Sequence, residues 1–544
     1  MINPGFFFII AGIFSYFIDK NKKLFILATV TSLTAMYYII FGITFGRIPF
    51  YESLLVFEFM DLELVLFRVN SISRTVSIIF VLFGYSGFIY SYRLASKKFF
   101  LISLLLVGFS VSLLYVGDLF SFFVLWELMN IATFFLVYDM SDEKRRQIAQ
   151  YFFLMLIFGG MCLLWGIILH YTSTGSIALD TAQAGRIFFI ISVAIKMAFA
   201  GVHTWLPRTY TNVPFLYSVL LSAYTTKVGV YGLYHLLDGE FIMYAGALNA
   251  LFGVIMALQQ STIRRILCYH IVSQVGYMIA GMGLITHAGN IGGFFHVINH
   301  ILYKGLLFMM AGSVIYSVGT EKLKDLGGLW KKMPITFVAG LIASLSISGA
   351  PFFNGYLSKT LIKAETPSQL VYYGLYIAGI GTTLSFAKIM YYTFIRDTEQ
   401  EVEINRSPTV SMKTAMIFLS AVMMIMAWTP GISENAFNIE SGIEYFSLYH
   451  LWGGAQPVLL GILSFPFLRR WLKPHEVESF GTDPYSRLGR AFTSTLCLVL
   501  SRLHTGDEVR YISWLLLALV FLFFNIYLIN NVFFVNTSYI SIIM

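Results

Sequence analysis

Residues 186–238 read RIFFIISVAIKMAFAGVHTWLPRTYTNVPFLYSVLLSAYTTKVGVYGLYHLLD, two apolar spans joined by a Pro-punctuated turn, with one lysine near the middle of each: Lys196 and Lys227. A charged side chain at the centre of a membrane helix costs about 2.5–3.5 kcal/mol on insertion scales, so two such lysines call for partners or a water-lined route. The competing reading is snorkelling, in which a long stem carries the amine to the headgroups. Each lysine sits about ten residues or more from its nearer flank, or about 15 Å along a helix, beyond a lysine's reach. The stretch therefore reads as part of an ion route.

Composition sets the class around it. The chain has 544 residues, is 58% hydrophobic and only 12% charged, and its mean hydropathy is +0.75, which no soluble domain of this length shows. Sixteen apolar runs, from 4–18 to 511–534, are mostly as long as the bilayer core is thick, and they are too numerous for a signal peptide plus an anchor. The expected fold is an all-α polytopic membrane protein with about 14–16 transmembrane helices in a lipid bilayer. Cys162, Cys268 and Cys497 lie far apart without CxxC spacing, so no disulfide framework, metal, cofactor or redox centre is expected.

The net charge of +8 does not indicate nucleic acid, because its placement has another explanation. Of the 36 basic residues, 26 fall in the loops after odd-numbered runs, five in the opposite loops (Arg47, Arg68, Arg74, Arg186, Lys363) and five within runs. That alternation places the N-terminus on the non-cytoplasmic side of the cell membrane. Between the second and third runs, YESLLVFEFMDLELVLFRV alternates as an external β-hairpin does. The segment 471–510 reads as a cytoplasmic connector, its part YSRLGRAFTSTLCLVLSRLH spaced as an interfacial amphipathic helix. The run 334–366 is too long for one straight span and contains SGAPFFNG, which predicts a helix broken around Ala350–Gly355.

Few residues in the apolar runs can carry chemistry. Glu127 is the one acid deep within a run; it is either paired with Lys196 or a protonated core carboxyl. In FFHVINHILYKGLLF, residues His296, His300 and Lys304 recur every four positions on one helix face, suited to relaying protons, with packed histidines or a metal site as alternatives. Lys359 follows the expected break, where freed backbone groups line a cavity. His203, in HTWLP, and Lys388, about seven residues from a span end, are further candidate relay groups; for Lys388 snorkelling is an equal reading.

These motifs resemble the antiporter-like subunits shared by respiratory complex I, Mrp-type cation/proton antiporters and membrane-bound hydrogenase-type complexes. The similar pieces, spread over residues 75–430, are WELMNIATFFLV, the lysine followed by HTWLP, SVLLSAYTTKVGVYGL, RRILCYHIVSQVGYM, HVINHILYKGLLFMMAG, GGLWKKMP and ISGAPFFNGYLSK. The resemblance implies two inverted five-helix repeats, each with a broken helix, and a hydrated proton path. By position it implies that Glu127 pairs with Lys196, that Lys227 is the connecting lysine, His300 the histidine of the second half and Lys359 the terminal lysine, while Lys304 matches only some members. Thr262 stands where many relatives carry an acid ahead of the basic pair Arg264 and Arg265, and the 40 residues of 471–510 are too few for a full-length lateral helix.

The resulting organisation is 1–96, N-terminal helices with the hairpin; 97–238, a first repeat with the Lys196 half-channel; 239–430, a second repeat with the Lys359 half-channel; and 431–544, C-terminal helices with the connector. The leading function is proton translocation, with or without sodium exchange, as one member of a hetero-oligomeric membrane complex, protons hopping along Glu127, Lys196, Lys227, His300, Lys304 and Lys359. The alternatives are a stand-alone transporter for a small solute and a scaffold whose buried charges only fix helix register.

Overall fold

The structure is a computed structural model and describes residues 2–44, 53–59, 62–179, 184–284, 286–398 and 401–474. All but the first four residues of the expected connector, and all of the expected final span 511–534, lie outside these residues.

The chain opens with α1 (Gly5–Ser15) and α2 (Asn21–Tyr37), which runs on as a π-helix over Tyr38–Thr44. The expected hairpin follows, β1 (Ser53–Phe59) antiparallel to β2 (Leu62–Arg68). Its second strand is covered by the loop ahead of α5: Arg68 N–H donates to Tyr115 O and Gly117 N–H to Val65 O, which closes an edge that would otherwise template pairing. Next come α3 (Ser71–Ser91), α4 (Lys97–Leu113), α5 (Leu119–Val137) and α6 (Glu143–Thr174). Their starts are written locally. Asn70 and Ser73 form a reciprocal capping box, and Ser96, Asp118 and Asp142 each accept from the first turn of the helix they precede.

The middle of the chain forms α7 (Arg186–Lys196), α8 (Trp205–Tyr210), α9 (Phe215–Leu236), α10 (Phe241–Leu258), α11 (Ile263–Met282) and α12 (His287–Val318). Then follow α13 (Leu329–Lys332), α14 (Pro334–Ser348), α15 (Asn354–Glu365), α16 (Gln369–Met390), α17 (Val410–Trp428), α18 (Pro430–Phe437) and α19 (Leu448–Leu468). Every expected run up to 450–467 coincides with a helix or a broken helix. Among the described residues nine helices are by length and apolar composition alone able to cross a membrane, so the protein is a multi-pass membrane protein.

The centre of the bundle is α12. From Phe294 to Val314 every residue is buried, and the helix packs against α3, α9, α11, α14, α15 and α17. A helix apolar nearly all round belongs in the interior of a large bundle, so any polar group on it is withdrawn from lipid. On this pillar stand His296, His300 and Lys304.

The expected break in 334–366 is present at residues 349–353, between α14 and α15. A second break, over 197–204, separates α7 from α8 and corrects the expectation that Lys196 lies mid-span: it is the last residue of α7. MAFAGVHT is apolar and free of proline, so hydropathy reads straight through it. Yet Ala198 takes φ +56° and Gly201 φ +98°, while Gly349 and Phe352 take φ +79° and +69°. Two of the three non-glycine residues at positive φ among the described residues thus lie in the two breaks, the kind of strain that surrounding structure must hold in place.

Candidate functional site

Both breaks present a lysine to the end of a half-helix. Lys196 closes α7, and the Lys359 ammonium donates to Ile347 O, at the end of α14, at 2.7 Å. The last carbonyls of a helix carry partial negative charge, so each end is a natural seat for an ammonium. Trp205, from HTWLP, donates Nε1–H to Ile195 O at 2.9 Å, and Ala200 N–H donates to Asn249 Oδ1 at 2.8 Å, so the first break is satisfied by side chains.

Lys196 is 1% exposed and sits 4.7 Å from the centre of the Trp126 ring. Its ammonium donates to Asn130 Oδ1, and Asn130 Nδ2 donates to Glu127 Oε1 at 3.1 Å. The expected pair therefore meets through an amide rather than by direct contact. Asn130 was the residue missed. Its signal is its position three after Glu127, which places both on one face of α5. Gly160, on α6, leaves room for the carboxylate, since a Cβ there would fall on Glu127 Oε1.

Further buried titratable groups stand on α9, α12 and α15, between the two breaks. The Lys196 stem packs beside Gly229 on α9, where a Cβ would stand 3.1 Å from Lys196 Cγ. Two residues earlier on α9, Lys227 is 2% exposed and donates to Ser222 O and to Thr226 Oγ1, the latter at 3.2 Å. On α12, His300 lies within electrostatic reach of Lys227, Lys304, His296 and Lys359. His300 and Lys304 are both fully buried, and neither ring nitrogen of the one nor the amine of the other has a hydrogen-bond partner. Lys304 lies 5.8 Å from the centre of the Phe386 ring.

His296 is tied down: Nδ1 shares a hydrogen bond with Ser358 Oγ at 2.9 Å, and Nε2 with Tyr303 OH at 3.2 Å. Asn299 donates to Asn354 O at 2.9 Å and to Ser358 Oγ at 3.1 Å, while Asn354 Nδ2 donates back to Asn299 Oδ1 at 3.0 Å. This polar lattice joins α12 to the first turns of α15. Lys359, 5% exposed, lies 4.4 Å from the centre of the Tyr277 ring.

The remaining candidates are placed differently. Lys388 is 2% exposed and caps the end of α10, donating to Leu258 O at 2.9 Å and Gln260 O at 2.7 Å, so it neither snorkels nor joins the row directly. His203 stands in the first break against Phe252 and Tyr269, on the side of α10 and α11. A further histidine was not among the candidate relay groups. His270, fully buried on α11 against Phe386, has both ring nitrogens unpartnered and lies within electrostatic reach of Lys304 and Lys359. Its signal was the polar stripe His270, Gln274, Tyr277 at helical spacing. No group of three or more His, Cys, Asp or Glu able to hold a metal occurs among the described residues.

The family described as NADH:quinone oxidoreductase/Mrp antiporter, TM, matches residues 116–385, which contain both breaks and the whole row. Hydrogenase-4 component B of Escherichia coli (strain K12) is 28% identical over 429 residues, covering 68% of this chain and 63% of that protein. A Na(+)/H(+) antiporter subunit of Alkalihalophilus pseudofirmus is 29% identical over 304 residues, covering 51% of this chain and 62% of that protein. The chain thus spans less than two thirds of the length of these relatives. In fold it is similar to a chain of the membrane-bound sulfane sulfur reductase, an archaeal respiratory membrane complex (TM-score 0.77, 22% identity, 96% of this chain and 99% of that one). It is equally similar to a chain of the Mrp complex from Dietzia sp. DQ12-45-1b (TM-score 0.79, 21% identity, 96% of this chain and 61% of that one). Through residues 116–385, just under half of its length, the chain is similar to the NADH:quinone oxidoreductase/Mrp antiporter family of membrane proteins.

Proposed function

We propose that this chain is the ion-translocating subunit of a larger complex in the cell membrane, its N-terminus on the non-cytoplasmic side, and that protons cross it along Glu127, Asn130, Lys196, Lys227, His300, Lys304 and Lys359. The observation that carries this is the row itself: two lysines at the ends of broken half-helices, joined through α9 and α12 by buried titratable side chains. Neighbouring ammoniums out of water cannot all be charged at once, so a proton arriving at one site favours release from the next. That repulsion drives stepwise hopping. In this reading residues 97–238 and 239–430 are the two halves, each with one broken-helix lysine, and His270 is a further member of the row. The relatives named as antiporter subunits and hydrogenase components support assembly with other membrane subunits.

The test is proton flux in membrane vesicles carrying the assembled complex. Lys196→Ala and Glu127→Gln are expected to assemble normally and to lose flux by about 100-fold or more, the scale of a lost proton-transfer group. Wild-type flux in assembled Lys196→Ala vesicles would sink the proposal. Repeating the assay with and without sodium separates plain proton transfer from exchange.

A further inference from the structure

Beyond Lys359 the row has no titratable group assigned to it, yet a proton there is still inside the bundle. Beside Lys359 lies a small cavity of about 10 Å³ whose lining includes Lys359, Lys363, Tyr277, Tyr376, Gly454 and Pro457. That is close to the roughly 10–15 Å³ needed to seat one water centre. Its polar rim can bind such a water.

Lys363, counted from sequence among the residues of an outer loop, is instead part of α15, one turn after Lys359 on the same face. It is half-buried, so it touches both the cavity and the surface, whereas Lys359 is 5% exposed. Its amine donates to Gly453 O at 3.3 Å. That carbonyl is free for a reason written in the sequence: in α19 its helical donor would be the N–H of residue 457, and Pro457 has none. A proline has thus opened an acceptor beside the cavity, and a lysine fills it.

We infer that Lys363 is the exit relay of the pathway, taking the proton from Lys359 and delivering it to the surface beyond α15; this rests on the proposed function above. The Lys359 ammonium gives its proton to a water seated in the cavity, that water passes one of its protons to the neutral Lys363 amine, and the resulting Lys363 ammonium releases its proton to outside water. The water and Lys363 return to their starting states, and Lys359 is left as a neutral amine, ready for the next proton arriving along the row. Two ammoniums one helical turn apart repel, so charging Lys363 keeps Lys359 from retaking a proton until release is complete.

The competing role for Lys363 is structural, as a donor to Gly453 O. Flux through the assembled complex in vesicles separates the two. Lys363→Met and Lys363→Arg are both expected to lower flux by about 100-fold, Arg because it donates to the carbonyl but does not release a proton. Lys363→His, which donates and titrates, is expected to retain flux. The double variant Lys363→Met/Pro457→Ala supplies the missing backbone N–H, so it keeps α19 intact even if the single variant fails to assemble, and its flux is expected to stay low. Wild-type flux in Lys363→Met, in Lys363→Arg or in the double variant would overturn the relay. Lys359→Ala is run in parallel: if it retains flux, the proposed function itself fails, whereas lost flux in Lys359→Ala with normal flux in Lys363→Met removes only the exit relay.

Discussion

At Lys196 the ammonium donates to the Asn130 side-chain carbonyl while the Asn130 amide donates to Glu127, so acid and base share one amide group. An amide can hold the two charges apart yet in register, which a direct ion pair cannot do. Replacing it with an apolar side chain of similar size leaves a buried ammonium with one partner fewer, and Asn130→Leu is expected to abolish proton flux in the assembled complex. Gly160→Ala probes the same contact from the other side, because its methyl occupies the place of the Glu127 carboxylate. Flux in Gly160→Ala vesicles should fall with no change in the amount of assembled complex; unchanged flux in both variants would remove Asn130 from the path. Glu127 and Lys196 were legible in the sequence because charge in an apolar run is costly and conspicuous. Asn130 was not, since an amide there has many ordinary uses.

The elements that matter most are the two interrupted helices, and they differ in how plainly they are written. In α14 and α15 the string SGAPFFNG carries glycine and proline punctuation, and the break falls within one residue or two of its expected place. In α7 and α8 the break rests on Ala198 and Gly201 inside an apolar stretch, held by Trp205 and by Asn249 from a distant helix. Gly349 ties local conformation to the site: it takes φ +79°, and a Cβ there would stand 2.9 Å from Lys359 Cδ. Gly349→Ala is therefore expected to cost about 1–3 kcal/mol of stability, through the left-handed backbone, and to push the Lys359 stem off Ile347 O. Thermal unfolding in detergent reads the first effect and vesicle flux the second. Full stability in Gly349→Ala would show that the break relaxes without strain.

At the scale of the molecule, Arg264 binds separate regions into one body. From α11 it grips Glu321 in two places, Nε to Oε2 at 2.8 Å and Nη2 to Oε1 at 3.0 Å, and it donates to Val213 O at 2.7 Å and Thr211 O at 2.9 Å in the turn between α8 and α9. No acid stands at Thr262, ahead of the basic pair, but a backbone bridge between Thr262 and Lys322 brings Glu321 to the Arg264 guanidinium. Only a planar fork makes all these bonds, so Arg264→Lys and Glu321→Gln are each expected to lower stability by about 1.5–3 kcal/mol, read as a fall in Tm of the purified protein. An unchanged Tm in both would show that the clamp is redundant. By contrast, the exposed Lys97 and Asp19 pair is worth little. Lys97 holds the Asp19 carboxyl below its usual range, so its small contribution is present above about pH 4 and lost on acidification.

The sequence by itself determined the membrane class, the places of the apolar helices up to residue 468, the hairpin, the position of the break in 334–366, and Lys196, Lys227, His296, His300, Lys304 and Lys359 as buried titratable groups. These follow from local rules, because hydropathy, helical spacing and the cost of burying charge all act on residues near one another in the chain. Tertiary structure alone decided that the first break falls directly after Lys196, that Asn130 stands between it and Glu127, that Lys388 caps α10, that His270 faces the row and that Lys363 shares a cavity with Lys359. Each of these depends on which helix packs against which, and a buried polar group takes whatever partner the neighbouring helix presents, tens to hundreds of residues away.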